Sequence, residues 1–308
     1  MITGALDIGG THIRAALLAP DGHLLTEEKQ ETPQSGSNGQ VVTEAVGDLL
    51  ANLLSNTDAE LSSLGISAAG PLDLSAGAMV HSPNMAFPVI PLRDLLADRF
   101  SCQVFLMNDC MAGAFAEYTI RRQENIQNLV YITMSTGLGG GAVVDQRPLC
   151  GFQGNAAEIG HLTVDEKYQL QCSCRRTGHW EAYASGTGIP HFFNTWCTVT
   201  GRDTQQVSSA AALFDRADRG EESAVAFLQE LARINGRGIS AVIVAYAPEV
   251  IVLDGPVAQK HQEWILEPVR EHIETYLPVP ELVCSGLAGQ APLLGAGWYS
   301  AMESKRSP

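Results

Sequence analysis

Three groups of residues in this chain have types and spacings that can do chemistry. The first is a pair of glycine turns, Asp7-Ile-Gly-Gly-Thr11 and, much later, Ser135-Thr-Gly-Leu-Gly-Gly-Gly141. Gly9-Gly10 leaves backbone amides open to an anion with no Cβ in the way, and Thr11 adds a hydroxyl donor. Asp7 would repel a phosphate. It makes sense beside one when a Mg²⁺ lies between them, held directly or through water. Ser135, Thr136, Gly137 and Gly139 belong to a second cradle of the same kind, and the pair suggests a nucleoside triphosphate. No Gly-x4-Gly-Lys-Ser/Thr pattern occurs, which excludes a P-loop enzyme. The second group is Asn108-Asp109, at the end of the apolar run from Val104, where α/β folds place functional side chains. Taken alone, Asp109 could simply cap the helix that begins at Met111. The third is a string of soft ligands, His161, Cys172, Cys174 and His179, followed by Glu181. Two thiolates and two imidazoles complete a tetrahedral Zn²⁺ site. Such a site is structural, because four protein ligands leave no position for water.

These residues need a frame. Gly4 to Asp7 reads as a strand, Ala15 to Ala19 as a second, and Pro20-Asp21-Gly22 as a turn into a third through Leu24-Leu25. Asn128 to Met134, the glycine turn, and Ala142 to Asp145 repeat the pattern. Two such hairpins suggest two related α/β domains facing each other. Between them lie a helical spacing over Thr43–Leu54, a strand and turn over Leu64–Pro71, a strand ending at Asp109 and a helix over Met111–Arg122. Glu221 to Ala247 reads as helix, and Val250–Leu253 as a buried strand closed by Asp254-Gly255-Pro256. Strands alternating with helices place the chain in the α/β class.

The composition narrows the function. The chain has 308 residues and a formal charge of −15, with 45% hydrophobic and 17% charged residues. That supports a folded globular protein of about two domains. Its basic residues are 4 Lys and 15 Arg, never more than two in a row. Nucleic acid and anionic membrane both need clustered cations, so neither is an expected partner. Any anion must be held by amides, a metal or scattered arginines. The first residues lack a basic run before an apolar one, and the seven cysteines are an odd number. The expectation is a reducing, cytoplasmic setting without a disulfide framework.

Asp7-Ile-Gly-Gly-Thr11, Asn108-Asp109, Ser135-Thr-Gly-Leu-Gly-Gly-Gly141 and Glu158-Ile-Gly-His161 stand in the order and spacing of the ROK family of sugar kinases and repressors. The resemblance covers essentially the whole chain. It implies two actin-like (ribonuclease H-like) domains with a cleft between them, residues 1–108 plus 296–308 forming the smaller and 109–295 the larger. It implies ATP-dependent phosphorylation of a hexose, glucokinase-like at the 6-hydroxyl, with Asp109 as general base. Gly70, Asn84, Asn108, Asp109, Glu158, His161 and Glu181 would bind the sugar. Asp7, Gly9, Gly10, Thr11, Ser135, Thr136, Gly137, Gly139 and Gly255 would serve ATP and its Mg²⁺. His161, Cys172, Cys174 and His179 would hold a structural Zn²⁺. Similar proteins are dimers or tetramers, so a homo-oligomer is expected. N-acetylmannosamine, N-acetylglucosamine, fructose and allose are alternative substrates. A sugar-responsive repressor lacking its DNA-binding domain is the non-enzyme alternative, a zinc hydrolase and an actin-like ATPase the others. The sequence departs from the family pattern at four places. Ala157 and Arg175 stand where glycines are usual, His179 where a cysteine is usual, and Asp254 and Pro256 flank the Gly255 turn.

Overall fold

The computed structural model describes residues 1–202 and 205–306. Contacts divide the chain into two units. One is Met1–Gln123 with Pro148–Ala156 and the chain from Gln290 on; the other is Glu124–Arg147 with Ala157–Gly289. Each unit is built on a five-stranded mixed sheet.

In the first unit the elements are β1 (Ile2–Ile8), β2 (His12–Leu18), β3 (Leu24–Glu31), α1 (Gln40–Ser55), β4 (Leu61–Ala68), β5 (Leu72–Asp73), β6 (Ala78–Val80), β7 (Val89–Pro91), α2 (Arg93–Phe100), β8 (Gln103–Asn108) and α3 (Asp109–Arg121). The sheet order is β3-β2-β1-β4-β8, with β1–β2–β3 antiparallel and β1–β4–β8 parallel. Register aligns Ile8 with Ala68 and Ala68 with Asn108, so the turns after β1, β4 and β8 leave from one edge of the sheet. Helix α1 buries Val42, Val46, Leu49, Leu50 and Leu53, an apolar stripe at helical spacing, in one core with Leu6, Ile8 and Ile13.

The boundary expected at Asp109 falls instead after Gln123. Met111 and Ala112 of α3 share a small core with Ala296 of the last helix, α10 in chain order (Ala291–Glu303), which returns to this unit. Gly295 and Gly65 let backbone touch backbone there. A Cβ on Gly295 would collide with the Ala112 carbonyl, and one on Gly65 with the Ala296 carbonyl. The small sheet β5-β6-β7 has strands of two or three residues, too short to show a period in the sequence.

In the second unit the elements are β9 (Leu129–Met134), β10 (Leu138–Val144), β11 (Arg147–Pro148), α4 (Glu181–Ala184), α5 (Gly188–Thr200), α6 (Ala210–Asp218), α7 (Glu222–Tyr246), β12 (Val250–Asp254), α8 (Gly255–Lys260), α9 (Gln262–Val269) and β13 (Glu281–Cys284). The order β11-β10-β9-β12-β13 repeats the first sheet, again with an antiparallel hairpin beside parallel strands. One detail differs from the expected turn. Strand β10 begins at Leu138, so Gly139, Gly140 and Gly141 pair with Thr133, Ile132 and Tyr131 as strand residues. Glycine is needed in that strand because Ile159 packs directly over Gly140, where a Cβ would come within 2.5 Å of it. The core is aromatic: the Phe192 ring lies 4.9 Å from Tyr168 and Phe227 and 5.0 Å from Tyr183. No helix among the described residues is long and apolar enough to cross a membrane.

Candidate active-site residues in the two units

In the first unit, the turn after β1 is closed by the Gly9 N–H donating to His12 O at 3.0 Å. Thr32 Oγ1 donates to Gly9 O at 2.6 Å, and Gln34 Nε2 donates to Gly10 O at 2.8 Å. The last two bonds occupy carbonyls, whereas the Gly9 amide is spent on closing the turn, so the Gly10 and Thr11 amides are the ones an anion could use. Asn84 is brought directly onto this turn. A Cβ on Gly10 would stand 2.5 Å from the Asn84 carbonyl oxygen and 2.8 Å from its Cβ. Gly70 follows β4 at the same sheet edge, joined to Pro71 by a cis peptide.

Asp7 does not stand alone. Arg14, its direct partner across the hairpin, donates Nε and Nη2 to Asp7 Oδ2 at 3.0 and 2.8 Å, and Ser67 Oγ donates to Oδ1 at 2.8 Å. Neither Arg14 nor Ser67 was foreseen as a site residue. The signal was present, because Asp7 and Arg14 are equally far from the turn and must face each other once the hairpin forms.

At the start of α3, Asn108 is the cap. Its Oδ1 accepts from the Cys110 and Met111 amides at 2.9 and 3.3 Å. Asp109 is the first helical residue, half-buried, with Oδ1 accepting from the Cys110 amide at 2.8 Å. The capping role that Asp109 could have filled thus belongs to its neighbour. The helix N-terminus around it favours a charged carboxylate.

In the second unit, the Ser135–Gly137 turn is held from outside the hairpin. Gly186 N–H donates to Ser135 O at 2.7 Å, Thr187 Oγ1 donates to Thr136 O at 2.9 Å, and Leu138 N–H donates to Glu181 Oε2 at 3.2 Å. Gly186 and Thr187 also went unforeseen, although Ser185-Gly-Thr-Gly188 carries a turn signal. Gly255 comes close to the same place, at φ +87°, where a Cβ would lie 2.5 Å from Met134 O. Asp254 beside it is structural. It is 2% exposed, with Tyr131 Oη donating at 2.8 Å, the Gly255 amide at 2.7 Å and Gln259 Nε2 at 3.1 Å.

The Glu158–His161 turn is pinned to β10. A Cβ on Gly160 would collide with the Leu138 carbonyl, which fixes glycine between the two polar residues. Glu158 is surface-accessible, yet the protein around its carboxyl strips enough water to push its pKa above the usual glutamate range. His161 opposes that shift and the Glu181 charge adds to it. Glu181 opens α4, anchored by the preceding Trp180. That indole is 1% exposed, donates to Asn235 at 2.8 Å and lies flat against Gly238 of α7. A cavity of about 770 Å³ opens beside Glu181, lined by Ser173, Ser185, Thr187, His191 and Asn194 among others.

The four soft ligands do come together. One donor atom from each of His161, Cys172, Cys174 and His179 lies within 4.8 Å of the others. Cys172 Sγ is 3.6 Å from His161 Nδ1, and Cys174 Sγ is 3.2 Å from His179 Nδ1. Zinc bonds of ~2.3 Å to sulfur and ~2.1 Å to nitrogen at a tetrahedral angle put S and N about 3.6 Å apart, so the set fits the ion. Desolvation first, and His161 second, hold the His179 pKa down, which keeps its imidazole neutral and able to ligate. None of the seven cysteines, all of them described residues, forms a disulfide. Cys110 and Cys197 are buried like small hydrophobes, whereas Cys102, Cys150 and Cys284 are only half covered.

Two departures from the family pattern have a backbone meaning. Ala157 has φ +61° and Arg175 φ +69°, the left-handed region in which a Cβ is strained and glycine is not.

The chain matches the ROK family over residues 3–301. It is 32% identical to a glucokinase of Aeropyrum pernix, over 95% of this chain and 94% of that one. It is 28% identical to an N-acetylmannosamine kinase of Haemophilus influenzae, over 96% of this chain and 94% of that one. Its fold is similar to the crystal structure of a ROK family glucokinase from Streptomyces griseus in complex with glucose and AMPPNP. There the TM-score is 0.78 and the identity 27%, covering 98% of this chain and 100% of that one. With hairpins, helix start and ligand cluster each carrying the residues that the motifs required, this chain belongs to the ROK family.

Proposed function

We propose that this protein, an ATP-dependent sugar kinase, phosphorylates a hexose of the glucose type at its 6-hydroxyl with Asp109 as general base. The observation that carries this reading is the division of labour at the start of α3: Asn108 takes the cap, and the adjacent carboxylate is held at the helix N-terminus. Asp109 takes the proton of the sugar hydroxyl as that oxygen bonds to the γ-phosphorus of ATP. The bond from that phosphorus to the bridging oxygen breaks, and ADP leaves. The amides of Gly10, Thr11, Thr136 and Gly137 donate to phosphate oxygens, and Asp7, its charge balanced by Arg14, would hold the Mg²⁺ that accompanies ATP, directly or through water. Mg²⁺, when bound with ATP, supplies further neutralisation of the phosphates. Gly70, Asn84, Asn108, Glu158, His161 and Glu181 position the sugar. Carboxylates and amides suit that task, because each can engage two neighbouring hydroxyls. His161, Cys172, Cys174 and His179 hold a structural Zn²⁺ that stiffens the segment between the Glu158 turn and Glu181.

Glucose is favoured because the glucokinase of Aeropyrum pernix is a nearer relative than the N-acetylmannosamine kinase of Haemophilus influenzae. A coupled assay with ATP over glucose, fructose, allose and the two acetylhexosamines tests the reading. Fastest turnover of glucose is expected, and phosphorylation of none of them would overturn it. Asp109→Asn should lower kcat about 10²- to 10⁴-fold while sugar binding survives. Retained turnover would remove Asp109 from the base role.

A further inference from the structure

The geometry points to Ser173, the residue between the two cysteine ligands, as a positioning residue that fixes the carboxylate plane of Glu181 for the sugar. A glutamate carboxylate turns freely about its last torsion unless both oxygens are held, because that torsion is broad. Here each oxygen has a donor from a different part of the chain. Leu138 N–H donates to Oε2 at 3.2 Å, and Ser173 Oγ donates to Oε1 at 2.7 Å. The side chain also lies close to two glycines. A Cβ on Gly137 would lie 2.7 Å from Oε2, and one on Gly160 would lie 3.6 Å from the Glu181 Cβ. Of these contacts, only Ser173 comes from the Cys172–Cys174 segment and carries a hydroxyl. Cys172 Sγ also reaches Oε1, at 3.3 Å, but as a weak thiol donor. As a zinc ligand it would be a thiolate, with no proton to give. Ser173 is then the donor that remains on this oxygen from that segment.

Ser173 is an exposed residue whose hydroxyl could bond to water at no cost. Its direct bond to a carboxylate at 2.7 Å is the kind of charge-assisted contact that holds one orientation. Glu181 thus spans from the ligand segment to the Ser135–Gly137 turn, and its unused lone pairs are aimed by these two bonds.

The inference rests on the proposed sugar role of Glu181, and the experiment separates the two. Sugar affinity is measured by calorimetry with glucose, alongside KM for glucose and for ATP, in the full-length protein loaded with zinc. Ser173→Ala should weaken glucose binding about 3- to 10-fold, the range of one hydrogen bond. The KM for ATP and kcat should stay within about twofold, and the zinc content should not change. Ser173→Thr should restore wild-type affinity, whereas Ser173→Val, its isostere without the hydroxyl, should match the alanine variant. Equal glucose affinity in the Thr and Val variants overturns the role of Ser173, even if the alanine variant loosens the segment. Glu181→Ala provides the control. If it leaves glucose binding intact, the sugar role of Glu181 itself fails. If it abolishes binding while Ser173→Val does nothing, only the positioning role fails.

Discussion

The two glycine hairpins, β1–β2 and β9–β10, occupy the same place in sheets of the same order, yet their surroundings differ. The first handles charge. Asp7 on its leading strand is balanced by Arg14 and Ser67, and its turn is buttressed by Thr32, Gln34 and the Asn84 backbone. The second makes room. It has no acid on its leading strand, and its glycines lie within β10, where Ile159 and the Gly160 turn pack against them. The acid that ends the neighbouring strand, Asp254, is buried and committed to protein donors. One topology, used twice, therefore supports two jobs, and the job is decided by which donors and which volumes surround the turn. A strand-end aspartate means nothing by itself; its partners make it a candidate functional charge or a structural cap.

That contrast can be broken most directly at the two acids. Asp254→Ala should cost about 2–3 kcal/mol of stability, because it strands buried donors, Tyr131 Oη among them. Activity per folded molecule should persist. Asp7→Ala should cost only about 1 kcal/mol, since its ion pair is partly exposed, while kcat/KM falls about 100-fold. Urea denaturation and kinetics on both variants decide this, and a Asp7 variant that is unstable but fully active would reverse the assignment.

The turns themselves provide the next comparison. Gly10→Ala drives a methyl group into the Asn84 backbone and should lower kcat/KM about 100-fold. Gly137→Ala meets only the end of the Glu181 side chain and no backbone, so the disturbance is confined to that carboxylate and roughly a tenfold loss is expected. Equal losses would mean that the two turns are supported alike.

A smaller effect is expected at Ala157, where the left-handed backbone is strained. Ala157→Gly should raise stability by about 1 kcal/mol, read as a higher thermal midpoint. A fall in the midpoint would show that the alanine methyl group, which is buried, packs better than its backbone is strained.

The smallest is a pH effect at Glu158. Its folded pKa is raised, so the ionised form that accepts sugar hydroxyls is lost, as pH falls, sooner than for an ordinary glutamate. The KM for sugar should climb on acidification, starting above the usual glutamate range. For folding the sign is opposite. The protonated form is favoured in the native state, so stability from this group is present below its unfolded pKa and is lost as pH rises through the folded one. Glu158→Gln should flatten both profiles.

Much of this was readable from local pattern. The repeated hairpin, the strand into Asn108-Asp109 and the ligand string from His161 to Glu181 depend on residue types at short spacing, which sequence displays directly. The domain boundary was not readable at Asp109, because α3 is assigned by its packing on a helix from the far end of the chain. Nor was the true start of β10, since a glycine run looks like a turn until Ile159 is seen lying over it. The substitution of glycine by Ala157 and Arg175 was visible, but its consequence required the backbone angles.

By itself, then, the sequence determined the α/β class, the order of the motifs and the chemical types available: amide cradles, a strand-end carboxylate, and thiol and imidazole ligands. Tertiary structure alone decided which of two adjacent residues caps α3. It also decided that Asp254 is a buried cap, and that Ser173 and Leu138 hold the two oxygens of Glu181. The reason is physical. Residue type and short spacing dictate local conformation and possible chemistry, but the charge state, orientation and availability of a polar group depend on donors and neighbours that approach from distant parts of the chain.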